Sequence, residues 1–166
     1  MLSIDLRGHG ATGGEISDWQ AFFNDPGGVP KDVEAAMAFL SGHESVAKDR
    51  IAVVGSSVGG NLACVAVQKF GAIGGVFMSG KTEAARSLAG EELTGLKSML
   101  YLAGEKEQGG ARAGYAKELS AMSQGASRAH IVKGSSAHGA ALLTDCLLYT
   151  SPSPRDQRGS RMPSSA

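Results

Sequence analysis

Residues Ile51-Ala52-Val53-Val54-Gly55-Ser56-Ser57-Val58-Gly59-Gly60-Asn61-Leu62-Ala63-Cys64-Val65-Ala66-Val67 carry three patterns in one uninterrupted run. Small or β-favouring apolar residues open it, a G-x-S-x-G pentapeptide from Gly55 to Gly59 follows, and an apolar face suited to a buried helix closes it. The order reads strand, sharp turn, helix. Such a turn lifts a serine hydroxyl clear of the backbone, so Ser57 is the candidate nucleophile. Gly55, Gly59 and Gly60 suit the crowding where the start of the helix passes the strand, because glycine has no side chain to collide. The competing reading is a flexible glycine-rich loop, which the apolar flanks disfavour.

Four further strand candidates accompany 51–55: residues 1–5, 72–78, 98–103 and 129–132. Helical periodicity falls between them. Pro30 suits the first turn of a helix over 30–42, with Val33, Ala36, Met37 and Leu40 at i, i+3, i+4 and i+7. A second helix is predicted over 111–124, with Tyr115, Leu119 and Met122 on one face. Strands alternating with helices predict an α/β domain: a mainly parallel sheet of about five strands, flanking helices and right-handed crossovers. Residues 11–28 break the alternation as a long glycine-rich connection carrying Trp19, Phe22 and Phe23. Those rings either line a substrate pocket or cover a sheet end.

A serine hydroxyl is a weak nucleophile until a neighbouring base takes its proton, which makes the histidines the next question. His9 follows the first strand candidate, His43 ends the 30–42 helix, and His130 lies within a predicted strand. His138 sits in a loop just after the last strand candidate, where parallel sheets build their sites, and is the best placed base. A solvated loop histidine is the alternative. The base needs a carboxylate to orient it, and Leu102-Ala103-Gly104-Glu105-Lys106-Glu107 offers two, Glu105 and Glu107. A lysine-neutralised surface loop competes with both.

Taken together, DLRGHG at 5–10, RIAVVGSSVGGNLA at 50–63, LAGEKE at 102–107 and SSAHG at 135–139 resemble the α/β-hydrolase superfamily, in particular its esterase and dienelactone-hydrolase-like members. The resemblance covers nearly all of 1–145. It implies a partial α/β-hydrolase fold and a catalytic triad of Ser57, His138 and Glu107, with the Val58 backbone N–H as an oxyanion donor. The family usually places Asp where Glu107 stands, and dienelactone hydrolases proper use cysteine as nucleophile, so Ser57 points to esterase-like chemistry. The implied partner is a small-molecule ester or acyl substrate, with no metal or organic cofactor. The resemblance also implies that 1–145 is the C-terminal portion of a longer hydrolase domain. Its oxyanion loop would lie upstream, so this chain alone is expected to be a poor catalyst. A non-catalytic binding scaffold, an amide or peptide hydrolase and an acyltransferase are the alternatives.

Residues 146–166 stand apart. Cys146 to Asp156, CLLYTSPSPRD, and Arg161 to Ala166, RMPSSA, resemble the translation of a transposase-type sequencing adapter, so the segment is expected to be non-native and disordered. It holds Arg155, Arg158 and Arg161 against Asp156, which leaves 13 basic and 15 acidic groups in 1–145, a net charge of −2. Near-neutral charge without a basic cluster disfavours nucleic acid as a partner. Cys64 is then the one cysteine of 1–145, which excludes an internal disulfide framework. No apolar run reaches membrane-spanning length, and no zinc-ligand spacing appears. Oligomeric state and compartment are not legible, with the cytoplasm as the default expectation.

Overall fold

A computed structural model describes residues 1–145. The segment 146–166, read above as adapter-derived, lies outside the described residues. Two helices come first, α1 (Trp19–Asn24) and α2 (Pro30–Gly42). Four parallel strands then alternate with helices: β1 (Val53–Ser56), α3 (Val58–Lys69), β2 (Gly75–Met78), α4 (Thr82–Ala89), β3 (Met99–Gly104), α5 (Ala111–Met122) and β4 (Arg128–Val132). A short helix, α6 (Leu142–Asp145), closes the described chain.

The strands lie side by side in sequence order, β1-β2-β3-β4, all parallel. In such a sheet, crossovers of one hand put every connecting helix on the same face. Accordingly α3 packs on β1 and β2, α5 packs on β3 and β4, and α4 touches both helices. The main core lies beneath them. Phe77 and Tyr101, neighbours on β2 and β3, are fully buried and meet edge to face at 5.4 Å, while Leu62, Val65, Leu88 and Leu119 close over them from the helices. Each such side chain contributes roughly 1.5–3 kcal/mol by leaving water.

Among the described residues the opposite face is covered only toward the carboxyl ends of the strands. There Met78, Leu102 and Val132 pack against Leu142 of α6. One step back along the register, Val54 pairs with Val76 and Val76 with Leu100, and Val54 is 68% exposed.

The expected α/β architecture, a mainly parallel sheet with flanking helices, is the one observed. Two details are corrected. The sheet has four strands among the described residues because the strand candidate at residues 1–5 joins no ladder. Leu2, Ile4 and Leu6 instead form one wall of a cleft of about 370 Å³, with β1 and α2 as the other walls. Across that gap the backbones share no hydrogen bonds, and extended residues without a ladder partner are not a strand. The connection 11–28 contains a helix, α1, whose first turn is fixed by Asp18: its side-chain oxygen accepts from the Ala21 N–H at 3.0 Å. Its aromatics divide between the two readings. Phe22 is in the core, whereas Phe23 is partly exposed beside Ser57.

Candidate active site

Ser57 sits alone between β1 and α3 with φ 57° and ψ −117°, a conformation that non-glycine residues adopt only when their surroundings force it. Two contacts do so here. The Ser57 N–H donates to the Met78 carbonyl at 2.8 Å, continuing the ladder one step past the end of β1, and α3 begins at the next residue. The turn is so tight that a Cβ on Gly55 would lie 1.8 Å from the Gly59 carbonyl oxygen. The Ser57 carbonyl accepts from Gly60 and Asn61, which leaves the Val58 N–H in the first turn without an intrahelical acceptor. A free donor at a helix N-terminus favours negative charge. The Ser57 hydroxyl makes no cap bond to α3.

His138 and Glu107 arrive from the carboxyl ends of β4 and β3. Glu107 begins a tight turn in which Gln108, Gly109 and Gly110 all have positive φ, 47°, 66° and 92°. Its side chain is 2% exposed. His138 Nδ1–H donates to Glu107 Oε1 at 2.5 Å. That tautomer leaves Nε2 as a lone-pair acceptor, the form a general base requires. Glu107 Oε2 accepts from the Ser79 hydroxyl at 2.8 Å and the Gly104 N–H at 3.3 Å. Arg112 Nε stands 3.9 Å from Oε1, and Arg112 Nη1 donates to the Gly80 carbonyl at 2.8 Å. A carboxyl group this deep is tolerated because each oxygen is hydrogen-bonded and a cation lies close by.

The structure therefore brings Glu107 and His138 together and sets Ser57 at the same end of the sheet. Among the described residues no hydrogen bond joins the Ser57 hydroxyl to the His138 ring, which is 46% exposed. Glu105 is exposed and its carboxylate accepts from the Gly134 N–H at 2.8 Å, away from His138. The other histidines lie elsewhere: His9 against Phe22, His43 at the end of α2 and His130 on β4. A pocket of about 450 Å³ opens beside the elbow, lined by Ser57, Val58, Asn61, Arg112, Lys81 and Phe23.

Compared with known protein families and with curated proteins, the chain has no significant match.

Three residues that sequence reasoning passed over belong to it. Ser79 is fully buried with its hydroxyl against Glu107. Arg112, also buried, places its guanidinium 3.9 Å from the same carboxyl group without a hydrogen bond to it. Asn61, buried in α3, accepts from the Lys81 N–H at 2.8 Å and ties the elbow helix to the start of α4. Only Ser79 left a signal: Met78-Ser79-Gly80 ends a strand with serine and glycine, as the run after β1 does. Among the described residues no group of three or more His, Cys, Asp and Glu side chains could hold a metal ion, and no helix is long and apolar enough to cross a membrane. Cys64 lies fully buried in α3, and burial pushes its thiol well above the ordinary range, which makes it unreactive.

Proposed function

We propose that the protein is a serine hydrolase of α/β-hydrolase type that cleaves a carboxylic ester or related small acyl substrate through an acyl-serine intermediate. The observation that supports this most is the 2.5 Å contact between His138 Nδ1 and buried Glu107, at the end of the sheet that carries the strained Ser57 elbow.

In the proposed reaction His138 Nε2 takes the Ser57 proton as Oγ bonds to the substrate carbonyl carbon. The carbonyl π electrons move to oxygen, where the Val58 N–H donates to the oxyanion. Collapse re-forms the carbonyl, breaks the ester C–O bond and expels the alcohol oxygen, which takes the proton from His138. Water, deprotonated by His138, then attacks the acyl-serine, and the carboxylic acid leaves as Ser57 recovers its proton. Glu107 stays in place throughout. It holds the ring tautomer and stabilises the imidazolium. The Ser57–His138 hydrogen bond forms as substrate closes the gap, since catalytic contacts are often loose in the free enzyme.

The absence of that hydrogen bond in the free structure is what favours the second reading, a non-catalytic scaffold. A fluorophosphonate probe decides between them. The expected result is a single covalent adduct mapped by mass spectrometry to Ser57 and absent from Ser57→Ala. A folded full-length protein that takes up no probe at Ser57 would end the hydrolase proposal. Parallel assays on matched p-nitrophenyl esters and p-nitroanilides then separate ester from amide cleavage.

A further inference from the structure

We infer that Ser79 is a positioning residue that sets Glu107 and His138 in mutual register; the inference rests on the hydrolase reading above. Ser79 directly follows β2 at φ 55°, fully buried, with its N–H donated to the Leu102 carbonyl at 2.9 Å. Its hydroxyl is used in both directions. It donates to Glu107 Oε2 at 2.8 Å and accepts the Gly139 N–H at 2.8 Å.

Gly139 follows His138 directly, and His138 is bonded to the other oxygen of Glu107. The contacts form a closed ring: Ser79 hydroxyl, Glu107 carboxyl, His138 imidazole, the peptide to Gly139, and back to the hydroxyl. One atom just after β2 thereby fixes the carboxyl group after β3 and the backbone of the loop after β4. Without it, Glu107 would lose one of its donors and the loop bearing His138 an anchor to the sheet, and the contact between Glu107 and His138 would loosen.

The residue types around the ring fit this duty. A small hydroxyl side chain can donate and accept at once. Threonine would add a β-branch at positive φ, where branched residues are outliers, and alanine would remove both bonds. Gly139 has φ 60°, and a Cβ there would stand 2.2 Å from Ser56 Oγ. Glycine is what lets this backbone come close enough for its N–H to reach Ser79.

The test uses the intact chain with Ser79→Ala and Ser79→Gly. Glycine tolerates the positive φ without strain, so it keeps the test decisive if the alanine variant does not fold; circular dichroism and a cooperative thermal transition establish folding. Two readouts are taken. The first is the downfield proton resonance of the carboxylate-bound imidazole N–H, assigned by its loss in His138→Gln. The second is phosphonylation of Ser57, resolved into kinact and KI. The expected result is that the resonance broadens into solvent exchange and kinact falls about 10- to 100-fold while KI stays within about twofold. A merely structural serine would leave the resonance and kinact untouched, and that outcome in a folded variant would overturn the inference. Should the full-length protein take up no phosphonate, the hydrolase proposal falls by itself. The resonance still decides the Ser79 contact: loss in Ser79→Gly supports it and persistence overturns it.

Discussion

Ser57 closes β1 and Ser79 closes β2, both at positive φ (57° and 55°). Each donates its N–H to the neighbouring strand, Ser57 to Met78 at 2.8 Å and Ser79 to Leu102 at 2.9 Å. Their side chains meet different fates. The Ser57 hydroxyl lines a pocket and makes no cap bond, whereas that of Ser79 is sealed between Glu107 and Gly139. Their neighbours account for the difference. Among the described residues β1 pairs with β2 alone, while the β2 end is flanked by β1 and β3 and roofed by the loop at Gly139. The same turn thus leaves one hydroxyl beside a pocket and ties the other into a ring of contacts.

The sharpest break in that comparison comes from the group that links its two halves. Glu107→Gln keeps the side-chain volume, but the amide can present an N–H where His138 Nδ1–H needs an acceptor, which favours the wrong tautomer. Phosphonylation of Ser57 is expected to slow about 10³- to 10⁴-fold with the thermal transition little changed. Equal labelling rates would show that Ser57 reacts without the histidine pair, and the two serines would then be unconnected.

Gly139→Ala attacks the roof over Ser79. Its positive φ and the 2.2 Å approach of the new Cβ to Ser56 Oγ combine to an expected loss of about 2–3 kcal/mol in urea denaturation. Adding Ser56→Ala removes the colliding oxygen but not the backbone strain, so the double variant should recover only part of it. Full recovery would mean the backbone carries no strain there.

How much of this was legible depends on how far apart the interacting residues lie. The helix over 30–42 appears at its expected bounds because Pro30 and the spacing of Val33, Met37 and Leu40 are local signals. The β1–turn–α3 unit was readable for the same reason, its glycines answering to collisions within a few residues. Residues 1–5 read as a strand because apolar pattern reports preference, whereas a strand also needs a neighbour within hydrogen-bonding distance. The residues alone left Glu105 and Glu107 open, and only the resemblance favoured Glu107; in the fold Glu107 opens the left-handed run Gln108-Gly109-Gly110 and meets His138. Ser79 left only its strand-end pattern, and its role was not legible: its partners lie 28 and 60 residues away, and their meeting is a product of the folded sheet.

Replacing each serine with glycine turns the comparison into a difference of sign. Ser57→Gly relieves a strained φ/ψ pair and breaks no cap bond, so stability is expected to rise by about 1 kcal/mol. Ser79→Gly relieves similar strain but strands the Gly139 N–H and one Glu107 oxygen, and stability is expected to fall by about 1–2 kcal/mol. Thermal denaturation of both variants checks this. If both rise, the hydroxyl of Ser79 has no stabilising role and the contrast is one of exposure alone.

The smallest effect expected supplies the control. Arg7 grips Asp32 with its Nε and Nη2 at 2.7 to 3.2 Å and adds its backbone N–H at 2.9 Å, pinning the segment after residues 1–5 to the start of α2, far in the chain from either elbow. Partial burial alone would raise the Asp32 pKa, but the hydrogen bonds and charge of Arg7 overcome it and hold the carboxyl below its ordinary range. A depressed carboxyl pKa stabilises the fold above the unfolded value and loses that contribution as pH falls through the folded one. Asp32→Asn should therefore cost about 0.5–1 kcal/mol at neutral pH, and the gap to wild type should close below about pH 4. Its phosphonylation rate at Ser57 should equal that of wild type. A slower rate would mean that lost stability alone disturbs the elbow, and the changes expected of Glu107→Gln and the Ser79 variants would have to be corrected for it. An equal rate leaves those changes to the ring of contacts around Glu107.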